Sequence, residues 1–426
     1  MSHAAALPTW WIRPGLKAPD GRLAIAGRDA EALAREHGTP LYVYDLAHVE
    51  EQVRALQAAL AHTELPHRVR FALKSQREPE MLAFLRGLGE PETPGSIGMD
   101  VCSPGELEWA LEHGWLPQEI SYTGTNVSDE DFATILRYPV QVNVDLLSQL
   151  ERLGRLAPGR KVGIRINPRA GAARPYLPVG YTSDVDAKFG QYASSGPTKF
   201  GIYAEQLDEA LAIARRHRLQ IDCVHFHICH RMLNEELPAL DQALAEAAKM
   251  IARVLAAGCP VEEINTGGGL GTVMGEGDKP LDLEAWATLL ADRLGGFGVT
   301  IAAEPGEFFV AQAGVLLTEV VSVEDRLGTT FIGLNAGWNI MPGRFVWGES
   351  VELVPAAEPL AARPQSVTIS GHINEAPDLF AEDYAFPPVH EGDIVAMLNA
   401  GSYYLAVANP HCLRPFPKTL YLRDRL

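Results

Sequence analysis

The stretch ELPALDQALAEAAKMIARVLAAGCPVEEINTGGGLG, residues 236–271, contains one complete repeat of the pattern that decides the fold. From 236 to 258 apolar residues recur at three- and four-residue spacing, the period of an amphipathic helix. A Gly-Cys-Pro break follows, and EEINTGG (262–268) then reads as a short buried strand that runs into glycines. Working outward, the same alternation continues on both sides. IDCVHFHI (221–228), KVGIRINP (161–168), VQVNVD (140–145), EISYTG (119–124), IGMDVCS (97–103) and VRFALKS (69–75) precede it, and TIAAEPG (300–306) follows. Helical stretches such as GELEWALEHG and EQLDEALAIARRHR separate them. Eight strands joined in this way predict an α/β chain that closes a (β/α)8 TIM-type barrel over residues 40–312.

In such a barrel the chemistry collects at the strand C-termini, where Lys74, Asp100, Asp145, Arg165, His227, Gly267 to Gly269 and Glu304 fall. Residues 168–200 are too long and too rich in Gly, Pro and Ser for a simple connection, which predicts a lid or a mobile segment. Beyond 312 the rhythm changes. VLLTEVVSVED, TTFIGLN, SVELVPA, QSVTISG, DIVAMLNAG and KTLYLRD are strand-like and separated by turn residues. Residues 313–426, with 1–39, are therefore expected to form a mainly β domain that completes the site.

The 426 residues are 47% hydrophobic and 21% charged, a globular composition that excludes a disordered or fibrous chain. Thirty-six Lys and Arg against 54 Asp and Glu give a formal charge of -18, so neither nucleic acid nor an anionic membrane is an expected partner. Five cysteines without a CxxC pair indicate neither a disulfide framework nor a zinc cluster, which fits a reducing cytoplasm. The N-terminal stretch lacks a basic segment backed by an apolar run, and no stretch approaches the roughly 18 apolar residues of a membrane span.

Three signals point to one cofactor. TGGGLG (266–271) follows the seventh strand, where a glycine turn offers backbone N–H groups to a phosphate, although its spacing fits neither the P-loop nor the dinucleotide fingerprint. Lys74 lies in the apolar run RFALKS, where an amine either snorkels to solvent or points into a site with a lowered pKa suited to Schiff-base formation. Glu304 ends the eighth strand, and a carboxylate there needs a cation or a protonated ring nitrogen. His227 either stacks on a flat ring or is a satisfied core histidine. Lysine and phosphate pocket together predict pyridoxal 5'-phosphate and no metal. His225 and His227, one strand face apart, with His230, leave a metal-dependent lyase as a competing reading.

These motifs in combination resemble the fold type III pyridoxal phosphate decarboxylases, the diaminopimelate, ornithine and arginine decarboxylases, whose barrel is alanine racemase-like. The resemblance runs from PLYVYD (40–45) to LRPFP (413–417). It implies Lys74 in FALKS as the cofactor-bearing lysine and Glu106 in DVCSPGEL (100–107) as a residue near the ring. It also implies Arg165 in the RxNP motif and Lys199 to Gly201 as the KFG motif. His227 would be the ring-stacking histidine, Gly267, Gly268 and Gly269 the phosphate-binding run, Glu304 the partner of the pyridine nitrogen, and Tyr403 in NAGSYY a contact to phosphate or substrate. A homodimer with shared active sites is implied as well.

Four departures bear on the substrate. The family's C-E-S-x-D loop is here Asn374, Glu375, Ala376, Pro377 and Asp378, and an asparagine amide cannot give up a proton at neutral pH as the family cysteine does. Lys74, Tyr403, His230, Cys229 or a water must do so instead. HIGS becomes HICH, which puts His230 where a small hydroxyl meets the phosphate. EPGR becomes EPGE, so Glu307 removes a cationic clamp, which Arg344 in NAGWNIMPGRF either restores or does not. With Glu307, Arg344, Asn374, Glu375 and Asp378 as substrate-binding candidates, the expectation is a basic diamino acid of the D- or L-ornithine or lysine type, or a carboxylated polyamine. The alternatives are conversion of meso-diaminopimelate to L-lysine and, in another class, a non-catalytic carrier of pyridoxal phosphate.

Overall fold

A computed structural model describes residues 9–89, 96–173, 197–343, 345 and 351–424. Strand β1 is Leu41–Asp45, and the barrel strands are β2 (His67–Ala72), β3 (Gly98–Val101), β4 (Ile120–Gly124), β5 (Gln141–Val144), β6 (Lys161–Asn167), β7 (Gln220–His225), β8 (Glu263–Asn265) and β9 (Thr300–Ala303). Each pairs in parallel with the next, and β9 pairs with β2 through Ala302 and Arg68 to close the ring. The chain is a (β/α)8 barrel joined to a mainly β second domain.

The opening stretch folds as its spacing predicts. Helix Leu237–Ala256 buries Leu240, Ala243, Leu244, Ala247, Met250, Ile251 and Val254 along one face. Each large side chain removed from water contributes about 1.5–3 kcal/mol, which fastens the helix ring to the barrel. The barrel interior is more polar than the apolar strand runs suggest. Arg70, Asn143 and Glu263 are buried there, and Asn143 Nδ2 donates to Ser121 Oγ at 3.0 Å.

The second domain is built on β10 (Gly314–Arg326), which pairs antiparallel with Thr329–Leu334 and with Ile394–Met397. The sheet continues from Thr329–Leu334 through Gln365–Ser370 to Leu379–Phe386. That last strand, LFAEDYAF, escaped the sequence reading because two adjacent acids interrupt its alternation, with Asp383 at φ +48°. The boundary at residue 40 also shifts. β1 was counted with the barrel, yet it lies between β10 and Lys418–Leu422, antiparallel to one and parallel to the other. All five of its residues are buried, as a central strand requires. Asp45 then accepts from the backbone N–H of Ala47 at 3.1 Å and caps helix Leu46–His62, the first helix on the barrel side. Most of the expected lid, residues 174–196, lies outside the described residues.

Candidate active site

β2 stops at Ala72, and Leu73–Ser75 form a single 3-10 turn that lifts Lys74 off the strand. Ser75 Oγ donates to Ala72 O at 2.7 Å and fixes the turn. The backbone N–H of Tyr403 donates to Ser75 O, also at 2.7 Å, and so ties the second domain to the lysine. Lys74 and Tyr403 both face a cavity of ≈ 340 Å³ at the C-terminal mouth of the barrel. Tyr403 has φ +65°, an uncommon conformation for a residue with a Cβ.

Burial alone would lower the Lys74 pKa, but the charges of Asp100 and Tyr403 outweigh it and the amine is raised. The expectation of a lowered value therefore fails, because the neighbours of Lys74 are not only apolar. Asp100, at the end of β3, is itself pushed well up by burial and by Glu304, with Lys74 opposing. Its Oδ1 is buried with no hydrogen-bond partner among the described residues.

Glu304 sits at the centre of a buried network. Asn265 Nδ2 donates to its Oε1, His225 Nε2 lies 3.2 Å from its Oε2, and Arg70 Nη1 stands at 3.7 Å. Burial opposes its charge, yet His225, Arg70 and Asn265 prevail and hold the carboxyl down to about 2. Arg70 is anchored from behind by Glu263, with two N–H···O contacts of 2.8 and 2.9 Å. A fixed anion in a water-poor site can keep a facing ring nitrogen protonated.

His227 accepts a hydrogen bond at Nδ1 from the backbone N–H of Gly268 at 3.2 Å, and burial lowers its pKa well below the ordinary value. The ring is therefore neutral and presents a flat face. His225 is committed to Glu304, and among the described residues no group of three or more His, Cys, Asp or Glu could hold a metal ion. Gly268 and Gly269 line the cavity, and a Cβ would drive Gly268 into Glu304 O and Gly269, at φ +91°, into Cys229 O. Only glycine lets the loops after β7, β8 and β9 meet backbone to backbone. Gly267 lies behind them, its carbonyl accepting from the N–H of Glu304 at 2.8 Å. Arg165 joins the cavity from the end of β6, its guanidinium 4.5 Å from the ring centre of Phe200 in the KFG motif.

His230, Arg231 and Glu307 form the remaining wall. Burial lowers His230 to about 4. Arg231 Nε lies 3.5 Å from Glu307 Oε1. The loss of the arginine at 307 has not removed the cation from this cavity, and the argument against a substrate carboxylate drawn from Glu307 lapses.

Other expected site residues lie elsewhere. Glu106 turns back onto Cys102, accepting from its backbone N–H at 2.8 Å and from its thiol at 3.2 Å, and does not line the cavity. Asn374 and Glu375 are exposed, and Glu375 Oε1 is 2.8 Å from His411 Nε2. Asp378 is buried and accepts from the N–H groups of Trp338 (2.8 Å) and Ile373 (2.6 Å), so it shapes its own loop. Arg344 lies outside the described residues. Sequence reasoning missed Arg70, Asn265, Thr123 and Arg231. A signal for the first existed, since Arg70 and Glu263 are opposite charges set beside strand-forming Val69, Phe71 and Ile264.

The residues present fit pyridoxal 5'-phosphate. An amine faces a cavity large enough for a flat ring, an anion stands at one edge, a glycine corner at another, and the buried Asp100 oxygen awaits a partner. The family model described as pyridoxal-dependent decarboxylase, pyridoxal binding domain, matches residues 46–311. The chain is 32% identical over 415 residues to the diaminopimelate decarboxylase of Methanothermobacter thermautotrophicus, covering 95% of this chain and 91% of that protein. It is 32% identical over 409 residues to that of Pseudomonas aeruginosa, covering 93% and 90%. The crystal structure of diaminopimelate decarboxylase from M. jannaschi shares the fold, with a TM-score of 0.81 at 23% identity over 96% of this chain and 92% of that one.

Proposed function

The chain belongs to the pyridoxal-dependent decarboxylases, and from that premise we propose that it acts on meso-diaminopimelate, releasing carbon dioxide and L-lysine. It is an amino acid decarboxylase and its cofactor is pyridoxal 5'-phosphate. The observation that carries the choice of substrate is the near-complete coverage at 32% identity of two diaminopimelate decarboxylases.

When bound, the cofactor supplies the electron sink for loss of carbon dioxide. Lys74 would hold it covalently, His227 would lie against its ring, and Glu304 would keep the pyridine nitrogen protonated. Arg165, His230 and the glycine run would serve its anionic end. Asn374 has no proton to give, so Lys74, which Asp100 and Tyr403 keep protonated and which faces the cavity, would deliver the proton to the α-carbon. Glu375 would meet the distal ammonium of substrate in the site of a partner subunit, which makes the enzyme a homodimer. Five free cysteines suit a cytoplasmic location.

A basic diamino monoacid is the second reading, favoured by Glu307 on the cavity wall and Glu375 in the loop. A panel of meso-diaminopimelate and the D- and L-forms of ornithine and lysine, with carbon dioxide measured and the amine product identified, separates the two. The proposal expects the highest kcat/KM for meso-diaminopimelate, and a faster diamino monoacid would overturn it.

A further inference from the structure

The loops after β7, β8 and β9 meet at one corner of the cavity. His230 and Arg231 follow β7, the glycine run follows β8, and Glu307 opens the short helix Glu307–Val310 after β9. The segment carrying Arg231 is pinned to the glycine loop. Met232 N–H donates to Gly269 O at 3.0 Å and Gly271 N–H donates to Met232 O at 2.9 Å. A Cβ on Gly271 would meet the carbonyl carbon of Arg231, so the two chains are in direct backbone contact. Arg231 itself has φ +48°, an uncommon backbone conformation for a residue with a Cβ. The result aims its side chain across the corner to Glu307, with the two side chains 13% and 16% exposed.

In barrels of this type the phosphate site lies between the loops after the seventh and eighth strands. Here those loops carry the glycine run and Glu307. A carboxylate at that point repels a phosphate dianion, and His230, held down to about 4, is neutral and supplies no charge. Arg231 reaches from the neighbouring loop after β7 to Glu307, whose Oε1 lies 3.5 Å from its Nε, and it carries a planar fork of five N–H donors. We infer that Arg231 binds the phosphate of the cofactor and that Glu307 acts as a positioning residue that holds its guanidinium across the corner. The charge expected at 307 has moved to 231, and the carboxylate at 307 serves as its support. The inference rests on the cofactor assignment and is independent of the substrate.

The test compares binding of pyridoxal 5'-phosphate with binding of pyridoxal, which lacks the phosphate, to the apoprotein by absorbance of the bound chromophore. Arg231→Gln should weaken pyridoxal 5'-phosphate on the order of ten- to a hundredfold, the loss of one charge-assisted contact, and leave pyridoxal unchanged. Arg231→Gln combined with Glu307→Arg should return the phosphate preference to within a few-fold of the unaltered protein. Equal weakening of both ligands, no change in either, or failure of the double variant to recover the preference would overturn the inference. Should Arg231→Gln not fold, by thermal unfolding, the same ratio in Arg231→Lys decides, with partial loss expected and an unchanged ratio contradicting. Failure of the unaltered protein to bind either ligand would instead overturn the cofactor assignment.

Discussion

The barrel mouth and the Asn374–Asp378 loop handle charge in opposite ways. Beneath the mouth, in the barrel interior, Arg70, Glu263 and Glu304 are buried to within a few per cent of their surface, and each has a partner of opposite sign or a hydrogen-bonding neighbour. In the loop, Glu375 stands in solvent and pairs with His411, whose side chain is also exposed. A buried pair is costly to break, about 3–5 kcal/mol for loss of one member, whereas an exposed pair is worth about 0.2–1 kcal/mol. The cofactor half of the site is thus preorganised within one chain. Asp378 shapes the loop, and neither Asn374 nor Glu375 lines the cavity of its own chain.

Substitutions in the two regions should separate accordingly. Lys74→Ala removes the covalent anchor and the proposed proton donor, and should lower kcat at least about a thousandfold, with loss of the lysine-linked absorbance band on mixing with cofactor. A variant keeping more than a tenth of the activity would place the chemistry elsewhere. Arg70→Met takes the shared cation from two buried carboxylates, leaving Glu263 only the exposed Arg68 at 3.2 Å and Glu304 only His225 and Asn265, and should destabilise the fold by about 3–5 kcal/mol, read as a lower denaturation midpoint. Glu375→Ala should leave that midpoint unchanged and instead cut kcat/KM about ten- to a hundredfold, mostly through KM. If the loop variant destabilised as much as the barrel variant, the contrast between the regions would disappear.

The smallest effect is in pH. Burial holds His230 at about 4, below its ordinary 6.5, so its contribution to stability is complete above about 6.5 and is lost as the pH falls toward 4. Glu304 at about 2, against an ordinary 4.5, contributes fully above 4.5 and loses that contribution as the pH falls toward 2. The melting temperature should therefore fall in two windows on acidification. His230→Asn should make the upper one shallower, with His225, His227 and His372, which burial also lowers, keeping the rest, and should spare the lower.

The barrel was legible because its eight strands are short apolar runs between helical periods, and both periods are local properties. β1 was misplaced because its neighbours, Gly314–Arg326 and Lys418–Leu422, are remote in sequence and no local pattern announces them. Leu379–Phe386 was hidden because a half-exposed strand with Glu382 and Asp383 adjacent lacks clean alternation. In the site, Lys74, Glu304 and His227 could be read because each is unusual for its own strand. Arg231 could not, since its meaning depends on Glu307 from another loop and on a backbone turn that only the packing of the glycine run produces. Asp378 was read as a ligand for the reverse reason: its motif is visible in sequence, while its hydrogen bonds to Trp338 and Ile373 are not.

The proposal that the cofactor half is self-contained and that the loop serves a neighbouring subunit can be tested by mixing two defective enzymes. Lys74→Ala and Glu375→Ala proteins, dissociated together and reassociated in equal amounts, would form mixed dimers in which one of the two sites is intact. At substrate well below KM the mixture should recover about a quarter of the unaltered activity, the share of intact sites under random pairing. Activity no greater than the sum of the two variants measured alone would contradict the account and place both halves of the site in a single chain.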